Sequence, residues 1–123
     1  MGAPDSDLER IRLRIILLSR YMQACIDAET DAKLAQRGMR YDRPSGSETP
    51  AQLSKRLQAA LSESGVNVST LADGKSQLKA LGEKINSMGG FDLMLEIAES
   101  AVREGGNHSR IEKTWDGIGQ WMA

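Results

Sequence analysis

The chain holds one histidine, His108, and one cysteine, Cys25. A zinc site of the cysteine-rich kind needs about four such ligands, and a disulfide needs two cysteines, so both are excluded within the chain. Cys25 falls on an apolar helical stripe with no basic residue on the same face to favour its thiolate. It reads as a small core residue. His108 sits in Gly-Gly-Asn-His-Ser, a cap-like surface setting. Carboxylates recur at helical spacing, Asp27 with Asp31 and Glu96 with Glu99. Paired acids of this kind could hold a divalent ion or do acid–base work. Di-metal helical bundles add Glu-x-x-His partners, and the sequence has none, so these acids read as solvated faces. Gly89-Gly90 and Gly105-Gly106 lack the Lys-Ser/Thr of a phosphate loop and read as helix ends. The expectation is a protein without catalytic residues, cofactor or metal.

Residues suited to binding are easier to find. Arg10, Arg12, Arg14 and Arg20 crowd one early segment, with Arg10 and Arg14 one helical turn apart. They suit an acidic partner, although arginines flanking an apolar seam are commonly solvated or ion-paired. Arg10, Arg14 and Arg20 are therefore candidate partner-binding residues. Trp121 joins them because it falls off the apolar stripe of the last helical segment, and exposed tryptophans are enriched at binding hot spots.

Residues 65–74, GVNVSTLADG, resemble the helix-turn-helix of repressor-like regulators in Gly65, Val66, Thr70 and Leu71. The resemblance implies a DNA-binding regulator using residues 53–81, with Thr70, Lys75 and Lys79 nearest the groove. The pattern departs at Leu61, where a small residue usually lets the two helices cross. It departs again at Asp73-Gly74, inside what should be an uninterrupted recognition helix. Sixteen basic and seventeen acidic residues nearly cancel, whereas phosphate-gripping proteins usually carry a basic surplus. Nucleic acid is the second reading for that reason.

The elements that must position these residues are helical. Aromatics are scarce, so the core is built from Leu, Ile, Met and Ala, a mixture that favours helices over sheets. A long helix is predicted over 7–37, started by Asp5 or Ser6 and free of Gly and Pro. Leu8, Ile11, Ile15, Leu18, Met22 and Cys25 alternate at spacings of three and four, an a/d seam that decays at Glu29 and Ala32. Leu13, Leu17 and Ala24 form a second stripe, so the middle of this helix needs cover on two sides. Gly38 reads as a left-handed C-cap, and residues 38–49 as a long loop. Thr49-Pro50-Ala51-Gln52 is a helix start with a capping box and Pro at the first position.

That second helix carries Leu53, Leu57, Ala60 and Leu61 on one face. A third helix is expected near 75–88, with Gly82 marking a close approach. A fourth runs from Phe91 to Glu104, apolar over more than half its circumference, and is the candidate central helix. The last, capped by Asn107 or Ser109, sets Ile111, Trp115, Ile118 and Met122 in one stripe.

The fold expected is all-α: one compact domain of about five helices over 1–123. No apolar run approaches the ~20 residues of a membrane span, and the N-terminus lacks a secretory layout, which points to the cytoplasm. The expected function is a non-catalytic regulator, adaptor or inhibitor that binds another protein. Its long helix is expected to pair two copies through Leu8, Ile11, Ile15, Leu18 and Met22.

Overall fold

A computed structural model describes residues 3–40 and 42–122, with side chains from Asp7 onward. It is an all-α bundle of four helices: α1 (Ala3–Gln36), α2 (Pro50–Glu63), α3 (Leu71–Arg103) and α4 (His108–Trp115). The expected third and fourth helices are the two arms of α3, joined at Gly90. There φ is 69° and ψ −160°, a combination open almost only to glycine. Helical geometry is broken at that residue, so the two arms meet at a kink, at the helix end expected for Gly89-Gly90. α1 already runs at Ala3, and the side chains of its expected caps, Asp5 and Ser6, lie outside the described residues.

The central helix is α1, not the 91–104 segment. α2, α3 and α4 all pack on α1, while α2 and α3 do not pack on each other. Ile15 and Leu18 are fully buried, and Ile11, Ile16, Tyr21, Met22 and Ala24 nearly so. The stretch is apolar on most sides because three helices from its own chain surround it. The N-terminal turn of α3 meets α1 at Tyr21 and Met22, where Gly74 lies against both side chains.

Start signals set the beginnings of α2, α3 and α4. Thr49 accepts from the Gln52 amide at 3.1 Å, and the Gln52 side chain accepts from the Thr49 N–H at 2.9 Å, which completes the expected capping box. Thr70 and Asp73 build a second box, so α3 begins at Leu71 rather than 75. Asp73-Gly74 is thus part of the first turn of α3 and interrupts nothing. Asn107 caps α4 by accepting from the Arg110 N–H at 3.0 Å. The loop after α1 is tied at two points, by Arg43 to Asp31 at 2.8 Å and by Arg56 to Glu48 at 2.9 Å.

Gly82 is the close approach expected of it: the Trp115 indole lies directly over its backbone. Past Trp115 the helix stops, and Gly117 (φ 90°) and Gly119 (φ 55°) turn the chain back. The count of three and four no longer applies there. Ile118 and Trp121 fold inward while Met122 is 83% exposed, the reverse of the expected stripe for the last two.

Candidate functional site

The residues expected to pair two copies face inward. Ile11, Ile15, Leu18 and Met22 are core side chains, and Leu8 is half-buried at the edge of the same cluster. An a/d seam needs only some apolar partner, and here α2, α3 and α4 supply it. Exposing these side chains to a second chain would open the bundle. Among the described residues of α1 the exposed large apolar side chain is Leu13, half exposed, with Arg10 beside it.

The arginines separate in role. The Arg14 guanidinium donates to the Ser64 carbonyl at 2.8 Å, closing the C-terminal end of α2, where carbonyls lack helical partners. Arg12 pairs with Glu104. Arg20 is half-buried, close enough to Glu48 to help Arg56 hold that carboxyl below its ordinary range. Arg10 alone among the three candidates is exposed.

Trp121 is buried rather than exposed. Its ring meets Trp115 edge-on at 5.1 Å and Phe91 at 5.8 Å. Its indole N–H donates to the Glu112 carbonyl at 3.1 Å. Periodicity misplaced it because it lies beyond the helix, on a strap of chain turned by two glycines.

The helix-turn-helix-like stretch is built differently from a reading head. Val66 and Val68 are buried, and Gln58 donates to the Val68 carbonyl at 2.6 Å, so the connector is drawn into the core. Thr70 is occupied as an N-cap. Lys75 and Lys79 are exposed on α3, with Glu83 one turn beyond Lys79 along the same shallow surface. A groove-reading pair packs its two helices together, and α2 and α3 are instead both laid on α1.

The side chains with reactive chemistry are dispersed. Burial pushes the Cys25 thiol up, and the Tyr21 phenol next to it is raised to about 12, mainly by burial and then by its hydrogen bond with Cys25. A raised thiol holds little thiolate and is a poor nucleophile. His108 Nε2 lies 3.1 Å from Glu112 on the surface of α4. Asp27 accepts from Gln23, and Asp31 from Arg43. Among the described residues no three His, Cys, Asp or Glu side chains gather where they could hold a metal ion.

An apolar concavity lies between the second arm of α3 and α4, a groove of about 310 Å³. Ala98, Ile111 and Trp121, all buried, line it together with the half-buried Val102. Leu95, 39% exposed, stands at its mouth. Glu99, Arg103 and His108 form the polar rim. No sequence expectation named this groove, although its signal was present. The 91–104 segment is apolar over more than half its circumference, and Leu95 and Val102 keep part of that surface open.

Compared with known protein families, curated proteins and solved structures, the chain matches none. Among the described residues no helix is long and apolar enough to cross a membrane.

Proposed function

We propose that the protein is a non-catalytic interaction module, a small regulator, adaptor or inhibitor of the cytoplasm, that binds another protein through a helical surface. One observation carries the reading: Leu95 stands 39% exposed at the mouth of a groove lined by Val102, Ile111 and Trp121. An apolar channel with a charged rim is the form in which one protein receives an apolar side chain from another. Burying a leucine-sized side chain there contributes on the order of 1.5–3 kcal/mol, enough for one anchor of an interface. A lone half-buried cysteine in a chain without disulfides suits a reducing compartment.

Affinity capture from the native host tests the reading, with wild type and Leu95→Glu as matched baits. A defined set of proteins held by wild type and lost with Leu95→Glu is the expected result. Identical sets with both baits would remove the groove as the binding surface.

A further inference from the structure

We propose that the occupant of this groove is a second copy of the same chain, laid antiparallel across a two-fold axis, with Glu99 of each copy paired to Arg103 of the other. This rests on reading the groove as an interaction surface and goes further by naming what fills it.

The argument begins with two charges. Glu99 and Arg103 both line the groove, one helical turn apart on α3, and both are exposed. Glu placed four residues before a basic residue is the spacing that normally closes an ion pair along a helix. Here the two side chains do not meet within 4.0 Å, and neither joins an ion pair with any other described residue. Nearby, Arg12 is paired with Glu104, and His108 Nε2 lies 3.1 Å from Glu112. The groove thus presents one open acid and one open base beside an apolar floor.

A foreign partner would have to supply a base and an acid in the reverse order at the same separation. A second copy supplies them by symmetry. In an isologous interface, if residue i meets j then j meets i. Setting Glu99 against Arg103 of the second copy sets Arg103 against its Glu99 in the same step. That register, with α3 arms antiparallel, carries Leu95 toward the start of α4 in the other copy. The hole there is bounded by Val102 and Ile111. The exposed knob of each copy then meets the open groove of the other, and both apolar surpluses are covered together. Exposed ion pairs contribute little affinity by themselves, about 0–1 kcal/mol. The leucines hold the copies together, and the charges set register and choice of partner.

Sedimentation velocity on the full chain tests this with wild type, Glu99→Arg, Arg103→Glu and an equimolar mixture of the two variants. All the changed positions are exposed, and matching far-UV circular dichroism checks that each variant folds. The expected result is a dimer for wild type and dimerisation about tenfold or more weaker for each variant alone. The mixture returns to dimer mass, because one chain then offers two acids and the other two bases. A monomeric wild type, a dimer that survives both single changes, or a mixture that stays monomeric overturns the second copy as occupant. The broader interaction reading fails by a different result, identical capture by wild type and Leu95→Glu.

Discussion

Trp115 and Gly82 share one space: a Cβ built on Gly82 would lie 2.5 Å from the Trp115 indole nitrogen. That nitrogen donates to the Leu78 carbonyl at 2.9 Å, one turn earlier on α3. The tryptophan is fully buried, so it has nowhere to retreat. Alanine at 82 gains roughly 1 kcal/mol of helix propensity but forces the ring away from its hydrogen bond, an overpacking cost of about 1–3 kcal/mol. Gly82→Ala is expected to lower the urea midpoint, and a raised midpoint would show that α4 yields easily.

The start of α3 carries a pH signature. Asp73 accepts from the Ser69 backbone and hydroxyl at 2.9 and 3.0 Å and from the Thr70 backbone at 3.2 Å. These hydrogen bonds, those of Ser69 first, hold its carboxyl below the ordinary value. A depressed folded-state pKa gives stability that is present above the unfolded value, about 3.9, and is lost as pH falls through the folded one. Wild type is therefore expected to exceed Asp73→Asn by a constant margin at neutral pH, and the margin should shrink below about pH 4. A margin unchanged down to acid pH would mean the carboxylate is not what caps the helix. Thr70→Ala, which removes the other half of the box, should cost about 1 kcal/mol.

The two capping boxes show where the sequence is legible and where it is not. Thr49-Pro50-Ala51-Gln52 announces itself because Pro at the first helical position and Gln at the third leave few alternatives. Thr70-Leu71-Ala72-Asp73-Gly74 has the same logic, yet Asp-Gly is also a common turn signal, so the pattern places the helix start after Gly74 rather than at Leu71. Only Tyr21 and Met22, some fifty residues away in the chain, show why a glycine is needed in that first turn. The α1 seam was legible as apolar but not as internal, since periodicity says that a face needs cover and not which chain provides it. Trp121 was illegible because a helical count was carried past Gly117 and Gly119, and local pattern cannot show how far a chain folds back.

Ser19 is a buried polar group that joins distant segments. Its hydroxyl donates to the Ile16 carbonyl at 3.1 Å and accepts from the Asn107 N–H at 2.9 Å, and the residue is fully buried. Alanine there leaves the Asn107 N–H without that acceptor at the entry to α4, at a cost of about 1–3 kcal/mol. Hydrogen exchange should speed at residues 107–111 in Ser19→Ala more than at α2. Uniform acceleration would indicate a global effect instead.

The α1 seam gives the last test, because an internal seam and a dimer seam respond differently to dilution. Leu18 is fully buried among its own chain's helices, whereas Leu13, five residues earlier on the same helix, is 49% exposed. Leu18→Ala should cost about 2–5 kcal/mol, the range for deleting a buried leucine in a core that cannot fully collapse. Leu13→Ala should stay within about 0.5 kcal/mol. Anything that stabilises by association makes the melting temperature depend on protein concentration. The Leu18→Ala loss relative to wild type is therefore expected to be the same at high and low concentration, as for a contact within one chain. A loss that grows with concentration would return Leu18 to an interface between copies.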